Sequence, residues 1–215
     1  MDDKELIKVI EKEKIIAIVR NVGKNKIVPL VSALVKGGVK FIETTFTQGG
    51  DDNETYEKIK LLVDKFKGQV HIGSGTVLTV QQAELTKAAG GEFAISPDTN
   101  EEIIKKAKEF GLVSIAGALT PTEIAAADRA GADFVKVFPA GNLGTAYIKA
   151  IKAPLSKVKL LAVGGINTDN IKEFLQAGIC GFGIGTNIID KKMLAENNYD
   201  GITELAKKYI ESVKI

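Results

Sequence analysis

TPTEIAAADRAGADFVKVFPAG, residues 120–141, contains the unit from which the whole chain is built. Its first half has the composition of a helix and ends at Gly131, the residue type that helix C-termini favour. FVKVF, residues 134–138, follows at once and is a short aromatic and β-branched run of strand length. A helix feeding a strand that is apolar on both faces belongs to a parallel sheet, because such strands are covered on both sides. One residue violates that pattern. Lys136 sets an ammonium among Phe134, Val135, Val137 and Phe138.

The same unit recurs in both directions. Seven further runs read as strands: IIAIVR (15–20), FIETTF (41–46), VHIGSGT (70–76), FAIS (93–96), VSIAGA (113–118), LLAVGG (160–165) and GFGIGT (181–186). Between them lie helical patterns such as IVPLVSALVKGG, NETYEKIKLLVDKF, TVQQAELTKAAGG, NEEIIKKAKEFG, AYIKAIK and TDNIKEFLQAG. Strict alternation implies right-handed parallel crossovers, and eight units close most economically into a (β/α)₈ TIM barrel. The expectation is an α/β protein, a single barrel domain over residues 1–215 preceded by a short amphipathic helix within MDDKELIKVIEKEK. A doubly wound open sheet is the alternative fold.

Composition narrows the function. The 215 residues are 45% hydrophobic and 26% charged, which suits a globular chain. Twenty-nine Lys and Arg nearly cancel 27 Asp and Glu, leaving +2, and the lysines form no basic run. Neither nucleic acid nor an anionic membrane is therefore expected as partner. The N-terminal segment has no apolar signal core, and no stretch approaches the roughly 20 apolar residues of a membrane span, so a cytoplasmic location is expected. Cys180 and His71 each stand alone of their kind. No disulfide and no zinc set of nitrogen and sulfur ligands can be assembled from them, and both read as structural residues.

In a barrel of this kind, groups at the C-terminal ends of the strands face the active site. Arg20 ends the first strand, Glu43 stands on the second with Thr44, Thr45 and Thr47 behind it, Ser74 and Thr76 end the third, and Lys136 is on the sixth. Lys136 could snorkel outward, pair with an acid, or act as a nucleophile. At an ordinary pKa near 10.4 only about 0.04% of a lysine is free amine at pH 7. Burial among aromatic and branched neighbours raises that fraction and suits the amine to Schiff-base formation with a ketone. Glu43 is the candidate proton carrier, or else the counter-ion of Lys136 or Arg20. Gly164 and Gly165 after the seventh strand, with Gly185 and Thr186 after the eighth, suit backbone binding of a phosphate.

With IIAIVR, GGVKFIETTFT, GSGTV, FAISP, LTPTE, VKVFPA, AVGGIN and GIGTN in this order, the sequence resembles the class I 2-keto-3-deoxy-6-phosphogluconate (KDPG) and 4-hydroxy-2-oxoglutarate (KHG) aldolases over nearly its whole length. The resemblance implies Lys136 as Schiff-base lysine and Glu43 as general acid/base. It places Thr76, Phe138, Pro97, Thr120 and Arg20 at the substrate, and Gly164, Gly165, Gly185 and Thr186 at the phosphate. Many members carry a Leu-Arg-Thr pattern after the glutamate, where this chain has Phe46 and Thr47. Others share the Phe-Thr form and end the first strand in an arginine, as Arg20 does here. Ala116 precedes Gly117 where members often have proline.

The implied activity is carbon–carbon cleavage of 2-keto-3-deoxy-6-phosphogluconate to pyruvate and glyceraldehyde 3-phosphate, without metal or cofactor, by a cytoplasmic homotrimer. Alternatives are the 6-phosphogalactonate isomer, 4-hydroxy-2-oxoglutarate, an isomerase or synthase that needs no amine, and a barrel that binds phosphosugars without turnover.

Overall fold

The computed structural model describes residues 3–214, and they form one closed barrel. Helix α1 (Asp3–Glu13) precedes eight strands: β1 (Ile15–Val19), β2 (Phe41–Thr45), β3 (His71–Gly75), β4 (Phe93–Ile95), β5 (Val113–Ala118), β6 (Phe134–Val137), β7 (Leu160–Val163) and β8 (Ile179–Ile184). Between them run α2 (Lys24–Lys36), α3 (Asp52–Lys65), α4 (Val80–Ala88), α5 (Glu101–Glu109), α6 (Pro121–Ala130), α7 (Ala140–Lys152) and α8 (Ile171–Gln176). Two helices, α9 (Lys191–Ala195) and α10 (Tyr199–Ser212), follow the last strand. Every strand pairs in parallel with the next, and β1 closes on β8 through Ile15↔Phe182, Ile16↔Gly183 and Ala17↔Ile184.

Period-two alternation sorts the strand residues into two layers. Outward residues such as Ala17, Ile42, Val135 and Ala162 pack under the helices in the larger core. Inward residues Ile16, Phe41, Phe93, Ile95, Val113, Ile115, Phe134 and Leu161 fill the lower barrel, and Leu6 and Ile10 of α1 close its floor. Burying each such side chain contributes about 1.5–3 kcal/mol. The rings of Phe41 and Phe93 meet at 6.0 Å. His71 stacks on Phe41 at 4.8 Å, and its Nδ1 lies 2.8 Å from a Glu92 carboxylate oxygen, a structural place at the start of a strand. Cys180 is half-buried with Sγ 3.2 Å from the Leu160 carbonyl, and burial pushes its thiol up to about 11, so it is not a thiolate near neutrality.

Local chemistry sets the helix ends. Thr79 and Asn100 cap α4 and α5, and α6 begins with a full capping box, Thr120 with Glu123, and Pro121 in the first turn. Gly131 ends α6 in the left-handed region at φ 98°.

The structure departs from the sequence expectations in extent more than in kind. β7 stops at Val163 because Gly164 and Gly165 turn to φ 85° and 74°, leaving the strand before the predicted end. β8 begins at Ile179, two residues before the expected start. α7 begins at Ala140, ahead of the AYIKAIK pattern, with a kink at Gly144 that breaks the periodicity. α10 packs on α2 so tightly that a Cβ on Gly37 would lie 2.4 Å from Ala206 Cβ. That contact completes the outer ring between the first and last units.

Candidate active site

Above the aromatic floor the inward positions change character. On β2 and β6, the positions two residues beyond Phe41 and Phe134 are Glu43 and Lys136, which remain only 2% and 7% exposed. Glu43 sits in register between Ile18 of β1 and Gly73 of β3, and Lys136 between Gly117 of β5 and Leu161 of β7. Both line a cavity of ≈ 510 Å³ at the C-terminal mouth. Small inward residues make the room. A Cβ on Gly75 would stand 1.6 Å from a Glu43 carboxylate oxygen, so only glycine lets the carboxyl lie across β3.

Burial dominates the charge state of both groups. It raises the Glu43 pKa, and the positive charges of Lys136 and Arg20 reverse only part of that shift. It lowers the Lys136 pKa, with Glu43 opposing and Arg20 assisting. The pair is thereby pushed toward a free amine beside a carboxylic acid. Glu43 Oε2 is buried and has no hydrogen-bond partner among the described residues, a costly state that a proton, a water or a substrate group would relieve. The Lys136 ammonium lies 5.3 Å from the centroid of the Phe138 ring, whose face looks into the cavity.

The mouth is organised by two turns and an arginine. Thr76 leaves β3 at φ 57°, an unfavourable conformation for a β-branched residue, and its hydroxyl accepts a 3.0 Å hydrogen bond from the Arg20 guanidinium. Gly164 and Gly165 form the rim after β7: the Gly164 carbonyl accepts from the Gly141 amide at 2.8 Å, and Asn170 donates to the Gly165 carbonyl at 2.9 Å. After β8 the chain turns at Gly185, whose carbonyl accepts from the amides of Ile188 and Ile189, while Asn187 donates to the Ile166 carbonyl and ties the two rims together. Backbone amides at such turns form anion-binding concavities.

Of the residues singled out in the sequence, Lys136, Glu43, Arg20, Thr76, Pro97, Phe138, Gly164, Gly165, Gly185 and Thr186 all line this cavity. Thr120 does not. Its hydroxyl gives its hydrogen to Glu123 and accepts from the Glu123 amide, so it caps α6 outside the pocket. The sequence reading passed over Ile18, Val163, Gln48, Leu78 and Asn187, which also line the cavity. Ile18 and Val163 were accessible by counting back two residues from Arg20 and Gly165. Asn187 stood beside Thr186, and Gln48 lay in a loop with no period to read.

Among the described residues no helix is long and apolar enough to cross a membrane, and no three His, Cys, Asp or Glu side chains gather as a metal-ligand set.

Comparison with known proteins bears on this arrangement. The family model described as "KDPG and KHG aldolase" matches residues 6–205. The KHG/KDPG aldolase of Escherichia coli (strain K12) is 33% identical over 191 residues, 87% of this chain and 86% of that protein. The 2-dehydro-3-deoxy-6-phosphogalactonate aldolase of the same organism is 29% identical over 201 residues, 93% of this chain and 96% of that one. A crystal structure of the Legionella pneumophila KDPG aldolase, with pyruvate captured as a covalent carbinolamine intermediate, superposes with a TM-score of 0.84 at 29% identity, covering 94% of this chain and 96% of that one. The alternation of strand and helix, the buried amine facing a buried carboxyl, and a family match over nearly the full length lead to one assignment: the chain belongs to the KDPG and KHG aldolase family.

Proposed function

We propose that the protein is a class I aldolase, a carbon–carbon lyase that cleaves a 2-keto-3-deoxy-6-phospho sugar acid to pyruvate and glyceraldehyde 3-phosphate. The observation that carries this reading is Lys136, an amine 7% exposed, held in the free-base direction at the bottom of the cavity into which the buried Glu43 also faces.

The Lys136 amine adds to the C2 carbonyl while Glu43 gives its proton to the oxygen. Loss of water from the carbinolamine leaves an iminium. Glu43, now a carboxylate, takes the proton of the C4 hydroxyl, directly or through a water. The C3–C4 bond breaks, its electron pair passes to the iminium to give an enamine, and C4 departs as the aldehyde. Protonation of C3 and hydrolysis of the iminium release pyruvate and the free lysine. Because the iminium takes the electron pair, the sequence as written uses no metal.

Arg20, fixed by Thr76 and close enough to bias both catalytic groups, is assigned to the substrate carboxylate beside the keto carbon. Pro97 and Phe138 are apolar walls, and Gly164, Gly165, Gly185 and Thr186 hold the phosphate at the far rim. A homotrimer in the cytoplasm belongs to the same reading by family resemblance.

Pyruvate release is the direct test. Purified protein is offered the 6-phosphogluconate and 6-phosphogalactonate forms of the 2-keto-3-deoxy acid, and 4-hydroxy-2-oxoglutarate. Cleavage of a phosphorylated acid with the highest kcat/KM is expected. Absence of pyruvate from all three would return the barrel to the isomerase, synthase or binding readings.

A variant tests the phosphate end. A Cβ on Gly185 would meet only Ile18 Cβ at 3.9 Å, so Gly185→Leu has room to fold while its side chain enters the space an anion needs. Its KM for the phosphorylated substrate is expected to rise by at least about tenfold, the loss of one charged hydrogen bond, with a smaller change in kcat. An unchanged KM in steady-state assays would place the phosphate elsewhere.

A further inference from the structure

Beyond Gly185 and Thr186 the active-site cavity is bordered by two depressions, of ≈ 110 Å³ and ≈ 390 Å³, that share Arg20, Val22, Thr186, Lys191 and Leu194. Arg20 and Thr186 line all three spaces. Among the described residues, Arg20 and Lys136 are the only cations on the wall of the main cavity. Lys136 is the reacting amine, and Arg20 is engaged by Thr76, biases the charge of the catalytic pair and is assigned above to the substrate carboxylate. A phosphate dianion at the Gly185–Thr186 turn would then meet backbone amides and one hydroxyl, but no positive charge dedicated to it.

Lys191 is the cation next in line. It is the first residue of α9, it is exposed, and among the described residues no hydrogen bond or ion pair engages it. An ammonium in a first helical turn faces the positive ends of the backbone amides, so its position is not one that the helix rewards. The helix itself is held firmly. Lys26 donates to the Leu194 and Ala195 carbonyls at 3.0 and 3.1 Å, and the Asp190 carboxylate accepts from the Met193 amide at 2.8 Å. Lys26 is thus occupied, whereas Lys191, on a fixed base beside Thr186, has no partner among the described residues.

We infer that Lys191 is a specificity-determining residue, whose ammonium reaches over Thr186 to the terminal phosphate of the substrate and selects phosphorylated over unphosphorylated sugar acids. This rests on the phosphate site assigned above and adds to it the counter-charge that the rim lacks. A lysine suits this task as a mobile point charge on a long stem, able to close on the anion after it has entered.

The test compares wild type, Lys191→Met, Lys191→Arg and Gly185→Leu on 2-keto-3-deoxy-6-phosphogluconate and on unphosphorylated 2-keto-3-deoxygluconate. Lys191→Met is expected to raise KM for the phosphorylated acid about tenfold, the size of one charged hydrogen bond, and to leave kcat and the unphosphorylated acid nearly untouched. It should also flatten the salt dependence of kcat/KM, because the lost interaction is partly screened. Lys191→Arg should restore most of the affinity. If Lys191→Met shifts neither substrate, or shifts both equally, while Gly185→Leu still impairs the phosphorylated one selectively, the role of Lys191 is overturned and the phosphate site stands. If wild type itself shows no preference for the phosphorylated acid, the phosphate site falls and this inference falls with it.

Discussion

Lys136→Met is expected to lose essentially all turnover while folding at least as well as the parent. Methionine approximates the length of the lysine stem and fills the same space between Gly117 and Leu161, but it offers no electron pair to a carbonyl. Borohydride added with pyruvate should reduce the wild-type Schiff base to a stable secondary amine, inactivate the enzyme, and shift the mass of the peptide containing FVKVF; borohydride alone should do little. An adduct on another lysine, or an active Met variant, would overturn the mechanism and leave Lys136 a structural cation.

The stability side of this prediction has a definite sign. Burial lowers the Lys136 pKa in the folded protein below its ordinary 10.5. Between the lowered folded value and 10.5 the unfolded chain carries one more proton than the folded one, so stability rises with pH across that window. The Met variant lacks this slope. Its advantage in chemical denaturation should therefore be largest below the window and shrink as the pH climbs through it.

Glu43→Gln ranks next in expected effect. The amide keeps the shape of the carboxyl in the space that Gly75 leaves open, yet it cannot carry a proton between substrate and solvent. Proton transfer by a positioned group contributes about 10² to 10⁴ in rate, and a kcat reduction in that range is expected. Trapping with pyruvate and borohydride should survive, more slowly, because the amine remains. Cleavage within a few-fold of wild type would remove Glu43 from the chemistry. The pH profile adds a second check. Burial raises the folded pKa of Glu43 above 4.5, so between 4.5 and that value the folded state holds the extra proton and stability falls as pH rises. Glu43→Gln should abolish that fall.

Much of this was legible in the chain. Helical and strand periodicities are local properties, each readable within one turn or one pleat, and so the eight units and their order could be counted. The polar groups at strand ends were legible for the same reason. A lysine inside FVKVF and a glutamate inside FIETTF contradict the strands that carry them, and such contradictions mark positions kept for a purpose other than packing. Where local period was broken, reading failed. The kink at Gly144 hid the start of α7, and the left-handed turn at Gly164 ended β7 early. Thr120 lay near the right strand end, and its hydroxyl caps α6, which sequence spacing also foretells.

The sequence by itself determined the alternation of elements, the parallel barrel they imply, and the placing of Lys136 and Glu43 on two of its strands. Only the tertiary structure decided the register in which β1 closes on β8, and that, among the described residues, the Glu43 carboxyl oxygen Oε2 is buried without a hydrogen-bond partner across Gly75 and Lys191 stands beside Thr186 with no partner of its own. The physical reason is that periodicity fixes which way a side chain faces along its own strand or helix. Distances between side chains on different elements depend on the stagger and closure of the whole barrel, which no local pattern records.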